Sequence, residues 1–298
     1  MPDLSRELHQ TLVSDVLVCP VCGGSLRISD NHQSLLCCGS RTHCFDGGGG
    51  GYLPLAPKHS GGGDAKEAVR YRTAFLSAGY YAPAAKALCD LVKRYLPNGK
   101  TVLDAGCGEG YYTNLIAADG YAVAGFDLSK FAVDAAAKAA RRSRGDNPSQ
   151  TLYAVGSVFE LPVRDQCVDA VVNIFAPCAP TEYARVLKPH GILIVAGAGE
   201  DHLLGLKKVI YDDPYLNEGR RDLPVEGKEF TLLEKHTVSF EITVEDREKM
   251  EALFSMTPYY WRTSPGDHEK LKSCDRLETP VTFDFYIYQK IQPERMSP

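Results

Sequence analysis

LDAGCGEGYYT, residues Leu103–Thr113, joins an apolar, strand-like run to a segment with helical periodicity. Its three glycines, Gly106, Gly108 and Gly110, lack a Cβ atom, so the chain can turn tightly there and a ligand can approach the backbone. Three spaced glycines also occur in turns that bind nothing, and by themselves they are a weak indicator of function. The surrounding residues must therefore decide between a ligand site and a plain turn.

Strand-like and helix-like segments alternate around this loop. Five apolar runs predict strands: TVLDAG, AVAGFDLS, TLYAVGSV, VDAVVNIFA and GILIVAGAG. Strands that are apolar throughout are typical of a parallel sheet covered by helices on both faces. Nearer the C-terminus, TVSFEITV and TPVTFDFYIYQK are rich in β-branched and aromatic residues and predict antiparallel strands at one edge. The predicted fold class is α/β with a Rossmann-like sheet.

Length and composition limit the remaining possibilities. The 298 residues, 44% of them hydrophobic, suffice for one large domain and a small satellite. The apolar runs are too short to cross a bilayer, and no signal peptide precedes them, so we expect a cytoplasmic protein that contacts no membrane. The net charge of -5 argues against a strongly basic nucleic-acid surface, so any RNA contact must come from local patches.

Three acids near the glycines indicate which ligand the loop binds. Asp104 ends the first strand of the alternating region, and Glu109 adds a second negative charge within the loop. Carboxylates there disfavour a pyrophosphate and favour a ligand that carries an ammonium group, such as S-adenosylmethionine. Asp127 ends the next strand, where a carboxylate can accept both ribose hydroxyls of an adenosine; capping of the following helix is the competing interpretation.

The ten cysteines divide into a cluster and a scattered set. Five lie between Cys19 and Cys44, and the others are spread through apolar segments. Cys19-Pro-Val-Cys22 has the spacing of a metal-binding knuckle, because two thiolates two residues apart can face one ion. LLCCGSRTHCFD then offers Cys37, Cys38, His43 and Cys44 for the remaining ligands. Clustered pairs in a cytosolic chain favour zinc over a disulfide.

Taken together, these motifs resemble class I S-adenosylmethionine-dependent methyltransferases, and more narrowly the RlmA-type 23S rRNA guanine-N1 methyltransferases. The resemblance extends from Cys19 to about Lys290. Its motifs are LDAGCGEGYYT, GFDLSK, IFAPC, CPVC, HCFD, GYLPL, RTAFLSAGYY, ARVLKPHG, DHLLGLK and MTPYYWR. It implies an enzyme that transfers a methyl group from S-adenosylmethionine to a guanine in a 23S rRNA hairpin, works as a homodimer and does not act on DNA.

The resemblance also assigns individual residues. Tyr81 in AGYY and His202 in EDHLLGLK match residues that contact the cofactor. A Cys and a His complete the zinc site with Cys19 and Cys22, which implies His43 and, by loop length, Cys37. Cys38 is the alternative thiol, and Cys44 is a substitute for His43. The zinc ion is expected to be structural.

The domain limits follow from the change in composition along the chain, and the resemblance indicates where the target guanine binds. We expect a zinc-binding domain over residues 1–58, a linker and the start of a helical connector over 59–72, and a methyltransferase domain over 73–298. Asn173 and Phe175, in NIFAPC at the end of the fourth strand, are candidates to bond and to stack on the target guanine. No residue is identified as the general base.

Other features of the sequence concern RNA contact. Arg70 and Arg72 lie between the two predicted domains, and KAARRSRG, which ends in Arg144 and Gly145, places a basic patch at a helix end. Gly47–Gly51 is a run of five glycines that we expect to be a floppy loop without cationic side chains.

Two other functions stay open: methylation of a small metabolite, and a non-enzymatic zinc-ribbon RNA-binding protein that has lost its cofactor.

Overall fold

The computed structural model describes residues 11–56, 62–97, 100–142, 151–224, 226–260 and 263–292. The predicted domain boundary at residue 58 and Arg144 of the basic patch lie outside the described residues. The strands are β1 (Leu26–Ile28), β2 (Ser34–Cys37), β3 (Cys44–Asp46), β4 (Leu53–Pro54), β5 (Thr101–Ala105), β6 (Ala122–Asp127), β7 (Thr151–Val155), β8 (Val168–Ile174), β9 (Leu187–Ala198), β10 (Phe230–Val244) and β11 (Leu277–Lys290). The α-helices are α1 (Lys66–Ser77), α2 (Ala82–Tyr95), α3 (Tyr111–Ala118), α4 (Lys130–Arg142), α5 (Pro180–Val186), α6 (Leu204–Ile210), α7 (Arg247–Ser255) and α8 (Pro265–Lys272).

One eight-stranded sheet organises the molecule, in the order β4-β7-β6-β5-β8-β9-β11-β10. Neighbouring strands from β4 to β9 in this order all pair in parallel. Parallel pairing requires crossover connections between the strands. β11 and β10 add to this sheet as antiparallel strands at one edge. The predicted α/β class and the antiparallel C-terminal edge are both confirmed. The strand order reverses between β5 and β8, and open α/β sheets bind ligands at such a point.

Both faces of the sheet are buried. One face packs against α2, α6 and α7 through side chains such as Leu88, Leu206 and Leu253. The other face packs against α5 and the N-terminal segment, with Tyr183, Leu12 and Leu17 fully buried. This double covering explains why the parallel strands are apolar at nearly every position. Within the described residues, no helix has both the length and the apolar character needed to span a membrane.

The N-terminal segment is part of this packing. A π-helical turn over Leu12–Val16 leads into the small sheet β1-β2-β3, and β4 then pairs with β7 of the main sheet. The Val18 amide donates to the Pro162 carbonyl at 2.9 Å, and the Arg164 guanidinium donates to Ser25 Oγ at 2.9 Å. The N-terminal region is thus attached to the larger domain through shared strands, apolar packing and hydrogen bonds.

The five glycines of Gly47–Gly51 are not floppy, contrary to the expectation from sequence. The Gly48 amide donates to the Tyr52 carbonyl at 2.8 Å, and the Gly51 amide donates to the Gly48 carbonyl at 2.9 Å, which closes a turn. A Cβ atom on Gly50 would lie 2.0 Å from Asp134 Oδ1, and one on Gly51 would lie 2.0 Å from the Arg141 guanidinium. The run therefore fits closely against α4, where side chains would collide.

Gly110 shows the same constraint at the turn from β5 into α3. Its φ is 79°, and an added Cβ atom would meet Tyr153 Oη at 2.6 Å and the Ala136 Cβ at 2.8 Å. Gly120, at the end of α3, has a similar φ of 93° but no atom within 4 Å of an added Cβ. Both positions therefore strain a residue with a side chain, but only Gly110 also lacks space for one.

We expect Gly110→Ala to reduce the free energy of unfolding by roughly 1–3 kcal/mol more than Gly120→Ala, because both variants strain the backbone but only the first collides with neighbours. Urea unfolding followed by circular dichroism measures the difference. Equal losses in the two variants would show that packing at Gly110 does not exclude a side chain.

Candidate active site

A crevice of about 1220 Å³ opens at the carboxyl ends of β5, β6 and β8. Among the residues that line it are Gly106 after β5, Asp127 at the end of β6 and Ile174 at the end of β8. Its far side is formed by residues 215–218 and 256–259. The strands end together at this edge because they are parallel, which brings the glycine loop and the acids of the sequence into one place.

Asp104 lies beneath the glycine loop. Its side chain is 2% exposed, and its Oδ2 accepts a hydrogen bond from Thr113 Oγ1 at 2.5 Å. Burial raises the pKa of Asp104 to about 7, against the opposing effect of the Thr113 hydrogen bond. Nearby Asp127 and Glu109 raise this pKa further through their charges. A cationic group in the crevice would relieve this repulsion.

Asp127 holds the turn that follows β6. Its Oδ2 accepts from the Gly108 amide at 3.0 Å, and its Oδ1 accepts from the Ser129 amide at 2.7 Å. Ser129 Oγ in turn accepts from the Ala132 amide at 3.3 Å, so Ser129 caps α4, and Asp127 does not fill the competing role of helix cap. Each carboxylate oxygen of Asp127 has a second lone pair, and the residue lines the crevice.

Glu109 forms an ion pair with Arg72 of α1. Its Oε2 accepts from Arg72 Nε at 2.5 Å, and Arg72 also donates to Asp64. Burial alone would lower the pKa of Arg72, but the charges of Glu109 and Asp64 outweigh it and raise the pKa. Arg72 lies 3.2 Å from where a Cβ of Gly108 would be, so it lies against the glycine loop. Arg72, considered for contact with RNA, is bound by these two carboxylates instead.

Aromatic residues form the wall next to the glycine loop. Tyr81 and His202, the two cofactor contacts implied by the resemblance, are both buried and line the crevice, with ring centroids 6.0 Å apart. His202 Nδ1 accepts from the Thr282 amide at 3.2 Å, which puts the ring proton on Nε2. Burial lowers the pKa of His202 to about 4, so the ring is neutral at pH 7 and acts as a hydrogen-bond donor.

Phe175 and Asn173 lie at the end of β8 but differ in position. Phe175 is 47% exposed and lines the crevice, and its φ of 53° is unusual for a residue with a bulky side chain. Asn173 is fully buried: its Nδ2 donates to the Ala105 carbonyl at 2.9 Å, and its Oδ1 accepts from Arg220 at 3.2 Å. Its predicted contact with the base edge does not fit these bonds. Asn173 instead holds neighbouring backbone in place.

The other predicted contacts divide in the same way. Gly106 and Gly108 line the crevice, whereas Gly110 is the first residue before α3 and packs against the core. After β7, Val158 and Phe159 both line the crevice, whereas Leu161 is 4% exposed and belongs to the core.

Sequence reasoning missed one wall of the crevice, formed by the segment between α6 and β10. Lys207, Asn217 and Arg220 hold this segment through hydrogen bonds to backbone and side chains. DHLLGLK contains Lys207, but a lysine in a short helix is usually exposed, and no periodic pattern marks residues 211–224. A signal for these contacts is therefore absent from the sequence.

In the N-terminal region, one group of side chains could hold a metal ion. The ligand atoms of Cys19, Cys22, Cys37 and His43 all lie within 4.8 Å of one another. Cys22 Sγ is 3.4 Å from Cys37 Sγ and 3.6 Å from His43 Nδ1. Thiolates bound to zinc at about 2.3 Å in a tetrahedron lie about 3.8 Å apart, so the four groups fit that ion. Cys38 and Cys44 are not members of the group.

Known proteins with similar sequences carry the names of 23S rRNA methyltransferases. A family model for a methyltransferase domain matches residues 103–195. The 23S rRNA (guanine(748)-N(1))-methyltransferase of Streptomyces fradiae is 30% identical over 272 residues, which cover 84% of this chain and 88% of that protein. A Bacillus subtilis protein that carries the provisional name of 23S rRNA (guanine-N(1)-)-methyltransferase is 27% identical over 294 residues, 95% of this chain and 100% of that one.

The raised pKa of Asp104 should make the free energy of unfolding depend on pH. The unfolded chain loses this proton near the ordinary aspartate pKa of about 4, whereas the folded chain keeps it until about pH 7. Folding stability therefore falls as pH rises through this interval. We expect Asp104→Asn to raise the free energy of unfolding at pH 8, by an amount on the order of 3 kcal/mol, and to change it little at pH 4.

Urea unfolding of both proteins at pH 4, 6 and 8 measures this dependence. Thr113→Val is the matched control, because it removes the hydrogen bond to Asp104 and leaves the carboxyl group buried. A gain of equal size at all three pH values would contradict a raised pKa for Asp104.

Proposed function

Since this chain belongs to the 23S rRNA (guanine-N1)-methyltransferase family, as its relatives show, we propose that it transfers a methyl group from S-adenosylmethionine to N1 of a guanine in a 23S rRNA hairpin. The observation that carries the proposal is the crevice at the ends of β5 and β6, where Glu109 and Asp127 line the wall beside a glycine loop and Asp104 is buried next to that loop. Tyr81 and His202 close this end of the crevice.

The acidic end suits the charge of S-adenosylmethionine. This compound carries an ammonium and a sulfonium group and supplies an activated methyl group when bound. The buried carboxylate of Asp104 and the paired Glu109 favour cations over phosphates, which is the reverse of what a dinucleotide requires. The unused lone pairs of Asp127 can accept hydrogen bonds from ribose hydroxyls.

The chain contributes chiefly by alignment and by exclusion of water. Guanine N1 carries a proton that must leave during the transfer. His202 is a poor acceptor for it, because its Nδ1 already accepts the Thr282 amide and its pKa is lowered to about 4. We therefore assign His202 to donate a hydrogen bond from Nε2 and name no general base.

We also propose that the Cys19, Cys22, Cys37 and His43 group binds a structural zinc ion. The Gly39 amide donates to Cys37 Sγ at 3.3 Å, a contact that would support a thiolate ligand. A closed set of three thiolates and one imidazole leaves no open position for chemistry. The ion would fix β1–β3, a segment of few buried side chains, against the main domain.

Two further features of the proposal come from the resemblance alone. They are a homodimer whose two N-terminal regions and catalytic domains bind the rRNA hairpin, and residence in the cytoplasm, where that RNA is. Analytical ultracentrifugation of the purified chain with and without the hairpin tests the first.

The methyl-transfer reaction is tested with labelled S-adenosylmethionine and an unmodified 23S rRNA transcript, in parallel with a metabolite extract. We expect the label to enter the rRNA and to map to guanine N1, where a methyl group blocks base pairing and stops reverse transcription. The test variant Asp104→Asn should bind S-adenosylmethionine at least roughly tenfold more weakly in calorimetry, because a hydrogen-bonded charge pair contributes about 1.5–3 kcal/mol.

Two results would count against the reaction. Label found only in small molecules would favour a metabolite methyltransferase. A wild-type protein that does not bind S-adenosylmethionine would favour a non-enzymatic RNA-binding protein.

The metal site is tested by the zinc content of the purified protein. Mass spectrometry should find close to one zinc ion per chain in the wild type, in Cys38→Ser and in Cys44→Ser, and little in Cys37→Ser or His43→Ala. Zinc retained by Cys37→Ser and lost from Cys38→Ser would move the fourth ligand to Cys38.

A further inference from the structure

Residues 211–224, between α6 and β10, form a long segment without helix or strand, which we call the strap. Loops longer than about 12 residues that lack secondary structure are uncommon in compact domains and are often functional. Residues 215–218 and Arg220 of the strap line the crevice. The strap thus forms part of the site but has no role in the proposed binding of S-adenosylmethionine at the glycine loop.

A fully buried lysine holds the first part of the strap. Lys207 Nζ donates to the Tyr215 carbonyl at 2.8 Å and to Asn217 Oδ1 at 2.7 Å, and it lies 4.3 Å from the Tyr215 ring centroid. Among the described residues, no carboxylate forms a salt bridge with Lys207. A buried cation without a counterion is costly, so its hydrogen bonds to the strap and its contacts with the tyrosine rings must compensate for the lost hydration.

Asn217 joins the strap to other parts of the site. Its Nδ2 donates to the carbonyls of Gly199 and His202 at 2.9 and 3.0 Å, and its Oδ1 accepts from Tyr259 Oη at 3.1 Å. The strap, the turn that carries His202 and the 256–259 wall therefore share one hydrogen-bond network.

Arg220 attaches the second part of the strap to the loop of Phe175. Its guanidinium donates to the Ala176 carbonyl at 2.8 Å and to the Ala196 carbonyl at 3.0 Å, and it forms an ion pair with Asp222. A Cβ atom on Gly197 would lie 2.7 Å from Arg220 Cδ, so the glycine lets this side chain lie across β9. The backbone after Phe175 and the strap are thereby fixed relative to each other.

Two apolar side chains of this held segment remain open to solvent. Tyr215 and Leu216 are each 47% exposed, as is Phe175, and all three line the crevice. Two of the acids on the strap are neutralised by ion pairs, Asp212 with Lys270 and Glu218 with Arg221. Rigid, half-exposed aromatic rings are the surfaces on which proteins stack unpaired nucleobases.

The crevice is also larger than one cofactor needs. Its volume of about 1220 Å³ exceeds the range of roughly 300–1000 Å³ that is usual for a single small-molecule site. Its acidic end lies at the glycine loop, and its half-exposed apolar side chains lie at the end of β8 and on the strap. This asymmetry suits a cationic methyl donor beside an electron-rich, flat acceptor.

We propose that the strap is the platform for the target nucleotide, with the unstacked guanine bound against Tyr215 and Leu216 together with Phe175. The proposal rests on the proposed rRNA methyl transfer. Lys207 and Arg220 act as positioning residues, since Lys207 bonds the Tyr215 carbonyl and Arg220 bonds the backbone after Phe175.

Single-turnover methyl transfer to the 23S rRNA transcript at saturating S-adenosylmethionine tests the platform. We expect Tyr215→Ala to lower the rate, or to raise the RNA concentration for half-maximal rate, by roughly 10- to 100-fold, which is the loss of one base stack. Tyr215→Phe, which keeps the ring, should stay within about threefold of the wild type. Phe131→Ala is the matched control, because Phe131 is a 50% exposed aromatic residue that does not line the crevice.

The cofactor affinity distinguishes a platform from general damage. Calorimetry should give the same Kd for S-adenosylmethionine in Tyr215→Ala and in the wild type within about twofold. Lys207→Met, which removes the charge and keeps the length, should repeat the Tyr215→Ala loss of rRNA methylation.

The outcomes separate the two proposals. A wild type that methylates rRNA while Tyr215→Ala and Lys207→Met do so equally well overturns the platform and leaves the methyl transfer standing. A wild type that binds S-adenosylmethionine but methylates no rRNA overturns the proposed function and the platform with it.

Discussion

Burial of the Asp104 carboxylate at the end of a parallel strand is the constraint on which the site depends. Parallel strands bring Asp104 and Asp127 to one edge of the sheet, and the glycine loop leaves room above them. Burial raises the pKa of Asp104 to about 7, and the charges of Asp127 and Glu109 raise it further. Arg72 neutralises Glu109, so Asp104 and Asp127 are the acids that a cationic ligand such as S-adenosylmethionine would meet near the glycine loop.

The opposite end of the crevice has the reverse character. Lys207 and Arg220 are cations that support the wall, and half-exposed apolar side chains form its surface. The two ends therefore differ in chemistry, with acids at one and half-exposed apolar side chains at the other. A transfer reaction requires such a pair of neighbouring sites, and alignment of the two groups supplies much of its rate.

The N-terminal region belongs to the same structure. Its π-helical turn shares the core with Leu103 and Phe126, and β4 extends the main sheet beside β7. Gly50 and Gly51 lie against α4, where an added Cβ atom would lie 2.0 Å from Asp134 or Arg141. The N-terminal region packs onto the larger domain, because apolar side chains and sheet edges are buried by contact.

The sequence by itself determined the fold class, the glycine loop, the acids and the Cys19–Cys22 pair, since each depends on short spacings or on strand and helix periodicity. The tertiary structure decided that Cys37 and His43 join this pair. The sequence could not assign Arg72, which lies on α1 and pairs with Glu109 from the loop after β5. Nor could it show that Asn173 bonds backbone, or that Lys207 is buried beneath the strap. These positions were decided by the tertiary structure, because they depend on which groups meet across distant parts of the chain, and a residue's type and neighbours in sequence do not carry that information.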